Sequence, residues 1–168
     1  MADIFFANEW IKNNVQAPEG MTWQDDPTTG YGNLRTHVRE WAEKRGHVLH
    51  EEPADCQVEL HVGDPGVKPD RHFSPSIIFT MFELSRFPDG WCTDLAGWDF
   101  IALPSKWCMR MYAEQLREQG FADAAKKIRY AQLGIRTGDF PYSSRDGDRD
   151  HWKILVQGVE LRDRKGLM

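Results

Sequence analysis

The sequence predicts an α/β protein in which a Rossmann-like parallel sheet with flanking helices is followed by the first strand of a second Rossmann-like domain. The first observation behind this prediction is that short apolar runs alternate along the chain with segments of helical periodicity. The second is that 40% of the 168 residues are hydrophobic, which is enough for a substantial core. The third is an isolated apolar run at residues 153–157, which follows a polar stretch near the end of the chain.

The first predicted unit is a strand, a long loop, a helix and a second strand. Residues 4–7 are apolar and predict a buried strand, whereas residues 8–29 contain several Pro, Gly and Asn and predict a loop. A helix follows and ends near Gly46, because an apolar stripe recurs at helical spacing. The stripe consists of Leu34, Val38, Trp41, Ala42 and Arg45. Residues 47–50 predict the second strand, and a βαβ unit of this kind implies a parallel sheet.

The alternation of strands and helices continues through the middle of the chain. Apolar runs predict further strands at residues 57–62, 76–82, 99–103 and 128–133. Between two of these strands, Pro88 is suited to the first turn of a short helix near Trp91. A regular succession of this kind is typical of a sheet that is covered by helices.

A longer helix is predicted after the strand at 99–103. Ser105 is suited to cap it, and it is expected to run to about Gln119 and to stop at Gly120. Its predicted apolar face consists of Trp107, Cys108, Met111, Tyr112 and Leu116. We expect Trp107, like Trp41 on the first helix, to lie in the core.

These elements divide the chain into a Rossmann-like domain at residues 1–136, a polar linker at 137–150 and an incomplete second domain at 151–168. The strand at 153–157 lacks the neighbouring strand and covering helices that a parallel strand needs. We therefore expect that the chain is truncated within a βα unit, and the alternative is that this strand adds to the first sheet. If the strand stays unpaired, the chain is expected to be poorly stable or to self-associate through it.

Composition and charge disfavour several classes of protein. The chain has 21 Lys and Arg against 26 Asp and Glu, which argues against a nucleic-acid binder with a general basic surface but leaves a local basic patch open. No apolar run reaches the roughly 18 residues of a membrane-spanning helix, and the N-terminus lacks the basic start of a secretory signal. Three cysteines without close pairing favour the cytoplasm over a disulfide framework.

Two segments of the first domain are candidates for ligand contact. Gly30, Tyr31 and Gly32 lie where the long loop meets the first helix, and glycines there let backbone amides approach an anion. The alternative is a plain turn, because a lone G-x-G is only part of the dinucleotide-binding pattern. Glu83 follows a buried strand and could contact sugar hydroxyls or act as an acid or base. The alternative for Glu83 is an ion pair with Arg86.

A third candidate lies near the end of the chain. Arg164 and Lys165 follow the strand at 153–157, and two cations at the start of a helix could bind a phosphate. The alternative is that both side chains belong to a solvated tail.

No metal site is predicted. His47 and His50 are three residues apart on a strand and therefore face opposite sides. The acidic run that begins at Asp146 lacks the turn glycine and the closing glutamate of a calcium loop. Cys92 and Cys108 have no convincing histidine partner, and we expect them to be packing residues.

Taken in order, several segments resemble the N-terminal half of a GT-B glycosyltransferase of the retaining, family-four type. Residues 29–34 and 45–48 resemble its first Gly-bearing loop, first helix and second strand. Residues 79–88 resemble its T-M-x-E-x-x-R-x-P segment. The remaining matches are a strand ending in Pro-Ser at 98–107, Leu-Gly-Ile at 133–135, and the opening of a donor domain at 153–158 and 164–166. The order and spacing of these segments carry the resemblance.

The resemblance implies two Rossmann-like domains that face each other across a cleft, the first receiving the acceptor and the second holding a nucleotide sugar. The implied acceptor or cleft contacts are Gly30, Tyr31, Gly32 and Glu83, and the implied contacts to the donor phosphates are Arg164 and Lys165. The family often has an arginine where this chain has Val159, so half of its phosphate clamp is not matched. No cofactor is expected, because the nucleotide sugar is a substrate, and no protein nucleophile is assigned.

We therefore expect that the chain is the acceptor-side half of a cytoplasmic glycosyltransferase, and that it is inactive alone because the donor half is incomplete. The main alternative is a non-catalytic α/β module that binds a glycan or a protein partner. A further alternative is a small nucleotide-binding protein that uses the glycines before its first helix.

Overall fold

A computed structural model describes residues 1–7, 30–51, 56–69, 73–81 and 86–134 of the chain. The chain divides into two compact units, Met1–Gln132 and Leu133–Met168. All the helices and strands described below belong to the first unit. The linker predicted at 137–150 and the domain start predicted at 151–168, including the strand at 153–157, lie outside the described residues.

Six parallel strands form one sheet in this unit. They are β1 (Asp3–Ala7), β2 (Val48–His50), β3 (Val58–Val62), β4 (Ser76–Phe79), β5 (Phe100–Leu103) and β6 (Ile128–Tyr130). Their order in space is β2-β1-β3-β4-β5-β6. The predicted α/β class with a Rossmann-like parallel sheet is confirmed.

Within the described ranges, four helices accompany the sheet. They are α1 (Gly30–Lys44), α2 (Trp91–Ala96), α3 (Lys106–Glu118) and α4 (Ala122–Ala125). The short helix α4 was not predicted, because four residues are too few to show a helical period. None of the helices that the structure describes is both long and apolar enough to cross a bilayer.

The two faces of the sheet are covered by different helices. Strand register pairs Glu59 with Ser76 and pairs His61 with Ile78, so these side chains share one face. Helices α2, α3 and α4 pack on that face and form the main core with it. This core contains Ile78, Leu95, Trp98, Ile101, Leu103, Tyr112, Leu116 and Ile128. Helix α1 lies on the opposite face, where the guanidinium of Arg35 covers the ring of Phe6.

The ends of α3 form as the sequence predicts. The Ser105 side chain accepts a hydrogen bond from the Cys108 amide at 3.1 Å, which satisfies one of the free donors of the first turn. Gly120, with a φ of +88°, ends the helical segment in a left-handed conformation that suits glycine. Local chemistry therefore fixes both boundaries of the helix.

The positions predicted for two tryptophans are wrong. Trp107 is 49% exposed and Trp41 is 54% exposed, although both were expected in the core. One residue turns a helix by about 100°, which carries Trp107 away from the buried face centred on Cys108 and Tyr112. On α1 the buried positions include Arg35 and Ala42, so the inner face is rotated away from Trp41.

Smaller corrections concern the ends of other elements. Pro88 precedes α2 rather than occupying its first turn, and its carbonyl accepts a 3.4 Å hydrogen bond from the Trp91 amide. The strand predicted at 128–133 ends at Tyr130. Cys92 and Cys108 are unpaired and lie in the core, which confirms their prediction as packing residues.

The fold makes a direct prediction about where its stability lies. Ile101 on β5 is fully buried, whereas Val48 on the edge strand β2 is 44% exposed. We expect Ile101→Ala to lower the free energy of unfolding by about 2–5 kcal/mol, because it leaves a cavity. The matched change Val48→Ala should cost less than about 1 kcal/mol. Urea denaturation measures both, and equal costs would show that the core does not lie on this face.

Candidate functional site

All six strands of the sheet are parallel, so their carboxyl ends lie along one edge, called here the carboxyl edge. The chain leaves β1 for β2 on one side, and then returns past β1 to β3 on the other side. The connections diverge between β1 and β3, and open α/β sheets bind ligands at such a switch point. The candidate site is therefore built from the residues at this part of the edge.

Tyr31 joins the start of α1 to the end of β4. Its hydroxyl donates a 2.6 Å hydrogen bond to the Met81 carbonyl oxygen and accepts a 3.1 Å hydrogen bond from the Met81 amide. It also lies 3.4 Å from the Thr80 hydroxyl oxygen. The predicted glycine-bearing segment and the end of the predicted strand at 76–82 are thus brought together at the carboxyl edge.

The single proton of the Tyr31 hydroxyl is used within the chain. A phenol has one proton and two lone pairs, and the proton is committed to the Met81 carbonyl. The Tyr31 hydroxyl therefore has no proton left to donate to a ligand. The Thr80 hydroxyl lies within reach of the hydroxyls of both Tyr31 and Tyr112. We accordingly call the Tyr31–Met81 hydrogen-bond pair the Tyr31 clamp.

The glycines that flank Tyr31 form the first turn of the helix. Gly30 is the first residue of α1, and Gly32 is buried within that turn. The Gly32 carbonyl accepts a 3.0 Å hydrogen bond from the Thr36 hydroxyl. The first turn contains no acidic side chain, so none of its own residues offsets the positive end of the helix dipole.

Tyr112 on α3 brings a third hydroxyl to the same region. Its side chain is fully buried, and its hydroxyl makes no hydrogen bond of good geometry with the described residues. Burial raises the pKa of the Tyr112 phenol well above its usual value, and the nearby Thr80 hydroxyl only partly opposes this rise. A buried polar group without a good partner is rare and costs stability.

Arg35 is a site residue that sequence reasoning missed. It is 4% exposed, its guanidinium lies 4.1 Å from the centre of the Phe6 ring, and its Nη1 donates a 3.4 Å hydrogen bond to the Val62 carbonyl. Val62 ends β3, one residue beyond the last pairing of β3 with β1. The guanidinium therefore lies at the switch point. A signal was present, because Arg35 follows Tyr31 by four residues and so shares its side of the helix.

Glu59 and His61 on β3 are two further buried polar residues that the sequence analysis did not single out. Both are fully buried on the face that carries the main core, and the His61 ring stacks on Trp98 at 5.9 Å. The signal was their alternation with Val58, Leu60 and Val62 within a strand. Glu59 lies near the start of β3 and His61 near its end, and both are buried within the sheet face rather than exposed at the carboxyl edge.

Glu83, Arg164 and Lys165 lie outside the described residues. The two histidines discussed as metal ligands have separate neighbours, since His50 pairs with Asp3 at 3.1 Å and His47 stacks on Trp41. Within the described part of the chain, no cluster of His, Cys, Asp and Glu is arranged to hold a metal ion.

The chain was compared with protein-family models, curated proteins and solved structures. No model of a protein family, no curated protein and no solved structure matches the chain.

The hydroxyl groups of Tyr31 and Tyr112 should contribute to stability with different signs. Tyr31→Phe removes the Tyr31 clamp and leaves the Met81 amide and carbonyl without their partner, so we expect a loss of about 1–3 kcal/mol. Tyr112→Phe removes a buried hydroxyl that has no good partner, so the free energy of unfolding should stay unchanged or rise. Urea denaturation compares the two matched variants, and a loss of similar size in both would contradict this assignment.

The raised pKa of Tyr112 predicts a loss of stability in alkali. The folded chain keeps a proton that the unfolded chain releases above about pH 10, the ordinary pKa of a tyrosine. The stabilising contribution is therefore complete below that pH and is lost as pH rises towards the folded pKa. The free energy of unfolding should fall by up to about 1.4 kcal/mol per pH unit above about pH 10. Denaturation curves should show a shallower fall for Tyr112→Phe, and identical slopes would refute the role of this phenol.

Proposed function

We propose that the chain forms the acceptor-side half of a glycosyltransferase that moves a sugar from a nucleotide-sugar donor to an acceptor hydroxyl. The observation that supports the proposal most directly is the Tyr31 clamp. It brings two segments that resemble glycosyltransferase motifs to one edge of a parallel sheet, although they are about fifty residues apart in the sequence. That edge is where open α/β sheets bind their ligands.

The proposed acceptor site is lined by hydroxyl and amide groups and carries a positive charge. Thr80 and the Tyr31 clamp form the floor at the end of β4, and the first turn of α1 directs its amides towards the same edge. Arg35 adds a permanent positive charge at the switch point. Such a site favours a polar, hydroxyl-bearing or anionic ligand over an apolar one.

The remaining roles are assigned from the sequence. Glu83 follows β4 in the chain and would accept a hydrogen bond, and then the proton, from the acceptor hydroxyl. Arg164 and Lys165 would contact the donor diphosphate, which takes the electron pair as the bond from the sugar to its oxygen breaks. No protein nucleophile is needed in this scheme, because positioning and stabilisation of the leaving group carry the reaction.

Binding and hydrolysis of nucleotide sugars test the proposal without a known acceptor. A panel of uridine, guanosine and adenosine diphosphate sugars is titrated onto the chain. The release of nucleoside diphosphate is followed in the chain and in an extended form that includes any reading frame continuing past residue 168. Lys165→Ala should weaken donor binding. Glu83→Gln should slow sugar transfer and leave donor binding unchanged. Lys44→Ala, at the far end of α1, is the control cation and should change neither.

The outcomes separate the proposal from its alternatives. Release of nucleoside diphosphate that depends on Lys165 and Glu83 supports sugar transfer. Binding of nucleotides without any release, even in the extended chain, would identify a nucleotide-binding protein instead. If no member of the panel binds either form at millimolar concentration, the chain is a non-catalytic module and the proposal fails.

A further inference from the structure

A basic and aromatic patch lies at the other end of the carboxyl edge. We define the basic aromatic patch as Lys106, Trp107, Arg110 and Tyr130. All four side chains are exposed, and the two rings keep 49% and 48% of their surface accessible. Tryptophan and tyrosine are enriched at interaction surfaces, because each combines a large apolar ring with a polar tip.

The topology places all four residues near the carboxyl ends of β5 and β6. Tyr130 ends β6 and pairs directly with Leu103, the last residue of β5. The Ala131 amide donates a 2.9 Å hydrogen bond to the Leu103 carbonyl, which fixes the two strand ends side by side. Helix α3 begins only three residues after Leu103, and its first two turns carry the other three residues of the patch. Lys106 and Arg110 are four residues apart and so share one side of α3.

The charge of the patch is opposite to that of the chain. The chain has a net charge of −5, yet the segments at 100–113 and 124–134, which contain the patch, hold no Asp or Glu. Glu114, four residues after Arg110, is an exposed carboxylate on the same side of α3, so there the two cations of the patch face one negative charge. None of the ion pairs formed among the described residues includes Lys106 or Arg110. Both cations lie near the N-terminus of α3, where the helix dipole adds further positive potential. The patch is therefore complementary to an anionic surface.

We infer that the basic aromatic patch is a peripheral docking surface for an anionic lipid bilayer. Tryptophan and tyrosine rings are enriched at the boundary between lipid and water, because they have an apolar body and a polar tip. Lysine and arginine beside them are attracted by anionic headgroups. A soluble phosphate would engage only the two cations, whereas a bilayer also takes the exposed halves of both rings out of water. The inference goes beyond the proposed sugar transfer and does not depend on it.

Vesicle co-sedimentation of the full chain tests this inference. The probes are vesicles of phosphatidylcholine alone and vesicles with about 30% phosphatidylglycerol, at salt concentrations from about 0.05 to 0.5 M. We expect the chain to bind the anionic vesicles and to release them as salt rises. Lys106→Gln and Arg110→Gln should each lower the partition coefficient about fivefold, the ratio that corresponds to about 1 kcal/mol per cation near an anionic surface.

A matched pair of tryptophan variants gives the control. Trp107→Ala should lower binding several-fold, whereas Trp41→Ala should leave it unchanged. Trp41 is equally exposed and also has a cation near its ring, since the Arg45 guanidinium lies 5.5 Å from the ring centre. It lies near the end of α1, and its stacking partner His47 precedes β2 at the opposite edge of the sheet. Thermal unfolding of both variants shows whether each remains folded.

Several results would overturn the inference. The first is that the chain does not bind anionic vesicles at low salt. The second is that Trp41→Ala and Trp107→Ala lose vesicle binding equally. The third is that millimolar inorganic phosphate releases the chain from the vesicles at constant ionic strength. The last result would identify a site for soluble phosphate instead of a bilayer. Nucleotide-sugar binding is measured without vesicles, so failure of one proposal is distinguishable from failure of the other.

Discussion

The parallel pairing of the six strands is the constraint on which the rest of the structure depends. Because every strand runs in the same direction, every strand ends at the same edge of the sheet. Each connection must therefore return over one face of the sheet to the opposite edge before the next strand begins. The crossing segments cover the two faces, and residues that are distant in the sequence meet where the strands end. The Tyr31 clamp, the Arg35 guanidinium and the basic aromatic patch all lie along that edge for this reason.

Elements that are determined by local chemistry could be predicted from the sequence. Ser105 caps α3 and Gly120 follows its end, since a hydroxyl acceptor and a residue that tolerates positive φ are needed at those positions. The strands could also be predicted, because a buried strand must be apolar over several consecutive residues. The order of the strands in space and the partners of each side chain depend on tertiary packing, which no local pattern contains.

The errors on α1 have a specific cause. The predicted stripe begins at Leu34 and omits the neighbouring Arg35, which is buried on the inner face of this helix. The stripe was therefore placed on the side that includes Trp41, whose ring is instead exposed and stacked on His47. Only part of the carboxyl-edge site could be predicted, because a local pattern does not contain contacts between distant residues. The glycines around Tyr31 could be recognised locally, whereas the hydrogen bonds of Tyr31 to Met81 join residues fifty positions apart.

The buried arginine has a consequence for how this edge responds to its surroundings. A guanidinium keeps its proton at every pH at which proteins remain folded. Arg35 therefore contributes a charge that does not titrate, held in place by the Phe6 ring and the Val62 carbonyl. If ligand affinity at this edge varies with acidity, the variation must originate in another group or in the ligand itself. Lysine in the same position would lack this invariance, because burial lowers the pKa of an ammonium group.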